Sequence, residues 1–238
     1  MGNSAIKQHY DTAHKTGVFK LSQQKLTEFP VRLFELKSVL RTLDLSENKI
    51  ILIPPDIGLF ENLKHLKLNK NRISALPENI CKLKKLESLS VCDNELKGIP
   101  NSFSQLAHLK QVHLSGNNLS EFPIAFRGLK MLDLLDLSRN KITCVPDEVI
   151  QIHAVEIILN QNQISSLSEQ IAGCPRLKTL RLEENCLQLS AIPPKVLKDS
   201  NISILTLDGN LFEMKNLAQI DGYDDYMERY TAVKKKMF

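Results

Sequence analysis

The chain has 238 residues, of which 42% are hydrophobic but only 5% aromatic, with no Trp and a formal net charge of +4. Such totals fit a core of many aliphatic side chains better than one of a few large rings, and so mild a charge does not demand an anionic partner. No apolar run approaches the ~18 residues of a membrane span, and the N-terminus lacks the apolar stretch of a secretory signal. The five cysteines are an odd number, at 81, 92, 144, 174 and 186. None lies in the flanks, where secreted repeat proteins place disulfide-bonded caps. They are read as reduced, with no zinc spacing among them, in a cytoplasmic chain. The sequons at Asn118 and Asn201 carry little weight in such a compartment.

In chain order, Met1-Gly2-Asn3-Ser4-Ala5-Ile6-Lys7 comes first. It looks like an N-myristoylation signal, with Gly2 as acceptor, although Ile6 stands where Ser or Thr is usual. One acyl chain gives marginal membrane affinity, so a second signal is expected. Lys7, Lys15 and the distant Lys234, Lys235 and Lys236 are the basic residues available for it. Ala5, Ile6, Tyr10 and Ala13 then fall on one stripe of a short helix. Ser4 is expected to cap its start and Gly17 to end it.

From residue 18 the chain repeats itself. Leu40-Arg41-Thr42-Leu43-Asp44-Leu45-Ser46-Glu47-Asn48 fits LxxLxLxxN, and the pattern returns at Asn71, Asn94, Asn117, Asn140, Asn162, Asn185 and Asn210. The Asn-to-Asn steps are 23, 23, 23, 23, 22, 23 and 25. A worn copy precedes them, with Gln24 in the Asn slot, and the sixth of the eight Asn-bearing copies has Ala154 where Leu is usual. The LxL stretch predicts a strand with one buried face. Each Asn can donate and accept, and so can satisfy backbone groups in the turn leaving its strand. Downstream, an apolar residue precedes Pro30, Pro54, Pro77, Pro100, Pro123 and Pro146, turning the chain onto the convex side. Counting the worn copy as the first, the seventh copy has Leu167-Ser168 there, and the eighth regains Pro193 after a two-residue insertion. The convex segments are too short for long helices, so single helical or 3-10 turns are expected. One repeat cannot bury its own apolar face, so neighbours stack and both ends need caps. Leu217, Ile220, Tyr223, Tyr226 and Tyr230 recur every three or four residues and predict a closing helix.

The predicted fold is therefore an α/β solenoid: a curved parallel sheet on the concave side, short turns on the convex side, and about nine repeats. It divides into a cap helix over 1–17, repeats over 18–212 and a cap helix with basic tail over 213–238. The slots at positions three, five, seven and eight of the repeat face outward on the sheet. They hold five cations (Lys20, Lys67, Lys70, Arg139, Arg181) against eight carboxylates (Asp44, Glu47, Asp93, Asp136, Glu156, Glu183, Glu184, Asp208), a net of −3. Nucleic-acid binding, which needs clustered Lys and Arg, is excluded by that arithmetic. A protein partner suits the face better. The candidate recognition residues are His65, Lys67 and Lys70 with His113, then Arg139 and Arg181, then an acidic end of Glu183, Glu184 and Asp208.

His65 with Asp44, His113 with Asp136, and Cys92 with His113 come near one another across strands. An open sheet supplies neither a cleft nor an oxyanion hole, so no catalytic residue, cofactor or metal is assigned. The whole chain resembles small cytoplasmic members of the leucine-rich-repeat family. Residues 1–5 (MGNSA), 15–19 (KTGVF), 26–30 (LTEFP), the segment from Cys174 to Leu187 and the segment from Gly222 to Lys236 carry the resemblance. It implies an N-myristoyl Gly2, a lipid-anchored peripheral location and no enzymatic activity. The repeats also resemble those of Ras-pathway scaffolds, a likeness that speaks to fold. The expected function is a monomeric protein-binding adaptor at the cytosolic face of a membrane. The alternative is a regulatory subunit docking on an enzyme such as a phosphatase.

Overall fold

The structure, a computed structural model, describes residues 3–237, with side chains described from 8 to 235. Helix α1 (Asn3–Thr16) leads into β1 (Val18–Lys20), and each LxL stretch then forms a short strand. These are β2 (Thr42–Asp44), β3 (His65–Lys67), β4 (Ser88–Ser90), β5 (Gln111–His113) and β6 (Leu134–Asp136). After β7 (Cys144–Val145) come β8 (Glu156–Ile158), β9 (Ser166–Leu167), β10 (Thr179–Arg181), α2 (Pro194–Lys198), β11 (Ile204–Thr206) and α3 (Tyr223–Met237).

Nine strands make one sheet in the order β1-β2-β3-β4-β5-β6-β8-β10-β11, all pairs parallel. The register joins Phe19, Leu43, Leu66, Leu89, Val112, Leu135, Ile157, Leu180 and Leu205 into one inward row. A near-constant repeat length causes this, because each turn of chain returns to the same height. The pair β7–β9 forms a small parallel sheet on the ascending flank. Strands stack about 4.8 Å apart, while the opposite side carries bulkier turns, so the large sheet lies on the inside of the curve.

Those turns are 3-10 helices, and the x-Pro residues set them up. Pro54, Pro77 and Pro146 lie in the extended region at φ −69°, −73° and −81°, each just before a five-residue 3-10 turn. Where Pro is missing, Ser168 does the work with its hydroxyl, which accepts from the Gln170 amide at 3.1 Å. The two-residue insertion in the eighth copy coincides with the one convex turn, among the described residues, that is α-helical: α2. Buried and half-buried rings reinforce the stack. Phe34 lies 5.5 Å from Phe60, and Phe103 meets Phe126 edge-on at 5.8 Å between centroids. Ala154 fills its Leu slot with full burial.

The Asn ladder reaches further than its own turn. Asn117 Nδ2 donates to Leu114 O and to Val91 O of the preceding repeat, both at 2.9 Å, and its Oδ1 accepts from Leu96 N–H at 3.0 Å. Asn71, Asn94, Asn140, Asn162, Asn185 and Asn210 repeat this pattern. Asn48 accepts from two amides, those of Gln24 and Leu26. Each ladder amide thus ties two repeats together and satisfies backbone groups that water cannot reach. The residue before each Asn lies in the left-handed region, from Lys70 at φ 53° to Gly209 at 77°. A non-glycine residue there costs roughly 1–3 kcal/mol, which the ladder offsets.

Two cap expectations need correction. Ser4 lies inside α1 rather than at its N-cap, because helical geometry already holds at Asn3. The C-terminal stripe is not one helix: Leu217 sits in a 3-10 turn (Met214–Gln219), and α3 begins only at Tyr223. Gly222 makes the break. It takes φ +87°, and a Cβ there would lie 2.6 Å from the Lys198 backbone nitrogen.

Candidate functional site

In a strand, residues two apart share a face, so the sheet displays its outward slots as parallel rows. The position-five row runs Lys20, Asp44, Lys67, Ser90, His113, Asp136, Ile158, Arg181 and Thr206. Lys67 and His113 are therefore two strands apart with Ser90 between them, while His65 lies in the neighbouring row beside Ser88. His65, Lys67 and Lys70 are all exposed. Lys70 approaches Glu47 at 3.9 Å, a loose, solvated pair.

Arg139 and Arg181 are already engaged. Arg139 donates to Asp93 Oδ1 at 2.9 Å and to Ser115 Oγ at 3.2 Å. It reaches across Gly116, where a Cβ would lie 2.5 Å from Asp93 Oδ1. Arg181 donates to Glu156 Oε1 at 2.7 Å. Both guanidinium groups are thus ion-paired within the chain, which the spacing of the repeats alone did not indicate.

The acidic end does converge. Glu183, Glu184 and Asp208 line one depression of about 560 Å³ with Arg139, Ile158 and Gln161. Gln161 donates to Glu184 Oε2 at 2.9 Å. Among the described residues Glu183 and Asp208 have no ion-pair partner. A second depression of about 500 Å³ adjoins it between β11 and α3. Asp208 belongs to both, and the rest of its wall includes Thr206, Met214, Tyr223, Met227 and Tyr230. The closing Tyr stripe pointed to α3, yet nothing in its spacing told that Tyr223 and Tyr230 would edge a groove.

Tyr226, the buried member of that stripe, closes the sheet. Its hydroxyl accepts from Leu205 N–H at 3.2 Å and donates to Leu205 O at 3.3 Å, satisfying the edge strand. Burial pushes its phenol above the ordinary range. Arg229 adds donors to Ile202 O and Leu197 O.

Cys92, the cysteine on the face, is not primed as a nucleophile. Burial raises the Cys92 thiol above its usual range, against the thiolate such chemistry needs. Cys174 is pushed up to about 12 by burial and donates to Val149 O. Among the described residues no group of three His, Cys, Asp or Glu side chains is placed to hold a metal ion, and no helix is long and apolar enough to cross a membrane. Gly2 lies outside the described residues.

Two family models, both described as leucine-rich repeat, match residues 39–60 and 61–119. Among solved structures, a leucine-rich-repeat protein of Leptospira interrogans is similar at 27% identity and a TM-score of 0.74, covering 88% of this chain and 59% of that one. The plant peptide hormone receptor RGFR1, solved in complex with RGF2, is similar at 26% identity and a TM-score of 0.58, covering 77% of this chain and 34% of that one. The chain thus spans less than two thirds of either.

Proposed function

We propose that this chain, a leucine-rich-repeat protein by its sequence matches and its fold, is a non-enzymatic protein-interaction module that engages its partner on the sheet face. One observation carries the reading. Nine strands in unbroken parallel register hold polar side chains in fixed rows, a broad preorganised surface whose geometry costs little to order on binding. The receptor similar to this chain is recorded in complex with a peptide hormone partner, which agrees with such use of the fold.

The membrane is part of the proposal. An acyl chain on Gly2, supported by the sequence Met1-Gly2-Asn3-Ser4, would hold the module weakly at the cytosolic face and leave the partner to stabilise it. Acyl labelling of the wild type and Gly2→Ala tests this, and equal labelling refutes it.

Partner capture from cells by crosslinking mass spectrometry tests the face. The comparison is wild type, a sheet-face variant (Lys67→Glu with Asp208→Lys) and a turn-side variant (Lys82→Glu). Partners lost from the first variant and kept by the second are expected. The opposite pattern overturns the reading. A catalytic subunit captured in stoichiometric amount would make the chain a regulatory subunit.

A further inference from the structure

The outward rows change character along the sheet once internal pairs are set aside. At the N-terminal end Lys20, His65 and Lys67 are exposed and make no ion pair among the described residues. The middle rows hold short neutral side chains such as Ser88, Ser90 and Ser115. At the C-terminal end the carboxylates of Glu183 and Asp208 stand unpaired, while the neighbouring cations Arg139 and Arg181 are held by Asp93 and Glu156.

The acidic depression has one aliphatic residue in its lining. Ile158 is the one aliphatic residue in the position-five row, and it lines the depression with Glu183, Glu184 and Asp208. An aliphatic stem lying on Ile158 would bring its charged tip to these carboxylates, which is how Lys and Arg side chains bury. The adjoining groove has opposite chemistry. Met214, Met227, Tyr223 and Tyr230 supply soft and aromatic walls, and Lys234 stacks on the Tyr230 ring at 4.8 Å, placing a cation at its rim. A bulky apolar group suits this groove, and a second cation does not.

A separate observation singles out the same two places. Among the described residues, only two side-chain oxygens are shut off from solvent without a hydrogen-bond partner, Glu183 Oε2 and Thr206 Oγ1. One belongs to the acidic depression and the other to the groove. Such groups are costly to leave unmatched, and a small shift of either side chain toward the depression it lines would present it to a ligand.

We infer that the C-terminal end of the sheet face, where the acidic depression meets the Tyr/Met groove at Asp208, docks a partner protein segment carrying a cationic side chain beside a bulky apolar one. The acid side selects by charge, and the groove supplies the anchor that interface hot spots usually need. Ile158 in the acidic depression and Thr206 in the groove lie two strands apart, roughly 10 Å, which an extended segment covers in about three residues. This inference rests on the sheet-face reading above and names the end of the face and the chemistry of the partner.

Fluorescence anisotropy on the full chain tests it. The probes are labelled Gly/Ser peptides carrying one Arg and one Phe separated by two, three or four residues. Matched peptides carry Glu for Arg or Ser for Phe. The Arg–Phe peptides should bind, and either replacement should weaken binding by about tenfold or more. Asp208→Lys and Met214→Ser, both at exposed positions, should weaken it to a similar degree with unchanged thermal unfolding, while Lys67→Glu leaves it within about twofold. No binding at about 1 mM peptide, or no selectivity among peptides, overturns the inference. If Lys67→Glu abolishes binding and Asp208→Lys does not, the sheet-face reading stands and the C-terminal assignment falls. If neither variant alters peptide binding or partner capture, both fall. Self-association in sedimentation that Asp208→Lys removes would make a second copy the occupant and overturn the foreign segment.

Discussion

The two ends of the solenoid solve one problem by different means. At the N-terminal end α1 lays Tyr10 and Ala13 on Phe19, with the Tyr10 and Phe19 rings edge-on at 5.1 Å. The closure is apolar, supplemented by Arg32 over the Tyr10 ring at 4.8 Å. At the C-terminal end α3 closes the edge strand through polar groups: Tyr226 on Leu205, and Arg229 on the carbonyls of Leu197 and Ile202. An end closed by contact area tolerates loss of a polar atom, whereas an end closed by directional bonds does not. The second arrangement also leaves space between strand and helix, and the groove beside Asp208 occupies it.

Substitutions at the two caps can break this contrast. The largest effect is expected from Tyr226→Ala, which removes both ring and hydroxyl at a cost of roughly 3–5 kcal/mol in chemical denaturation. Next come the glycines. Gly222→Ala should cost more than Gly17→Ala, and each more than about 1 kcal/mol. Both have positive φ, but the Gly222 Cβ would meet Lys198 backbone atoms at 2.6 and 2.7 Å, and the Gly17 Cβ would meet only one backbone atom, Val39 O, at 2.8 Å.

The paired substitutions Tyr226→Phe and Tyr10→Phe sharpen the comparison most directly. The first leaves Leu205 N–H and C=O without their partner and should cost roughly 1–3 kcal/mol. The second removes a hydroxyl with no bond among the described residues and should stay within about 0.5 kcal/mol. Equal losses would refute the distinction between the caps.

Alkaline titration gives a smaller signal. Burial raises the Tyr226 phenol in the folded chain above its usual 10.0, so its contribution is complete below pH 10.0 and lost as pH rises through the folded value. Tyr226→Phe should flatten that part of the stability curve. The smallest effect is at the sheet margin, where Glu87 lies between Lys64 and Lys110 at 2.8 and 2.9 Å. Hydrogen bonds from those two lysines hold its carboxyl at about 2, so its contribution is present above pH 4.5 and fades as pH falls through about 2. The carboxylate is partly exposed and lies at the surface, and added salt should shrink the difference between wild type and Glu87→Gln.

The sheet, its parallel sense and the nine registers were legible in the sequence, because a 23-residue period with alternating Leu leaves one way to bury each apolar row. The 3-10 turns were legible as well, since proline both fixes φ and withholds a donor ahead of six of them. The ladder asparagines were legible as polar groups that must be satisfied, but not as links to the preceding repeat. That depends on the stacking distance, which no single repeat encodes.

Among the outward residues, sequence determined which side chains share the sheet face, because strand alternation is local. Tertiary structure decided which charges remain available. Arg139 reaches Asp93 because glycine at 116 opens the way between their repeats, and Arg181 is held by the neighbouring Glu156. It also decided that the Tyr stripe breaks at Gly222 and leaves a groove beside Asp208. Pairing across repeats and the seat of a cap helix depend on distances between segments far apart in the chain, and a linear pattern constrains these only through how the whole stack closes.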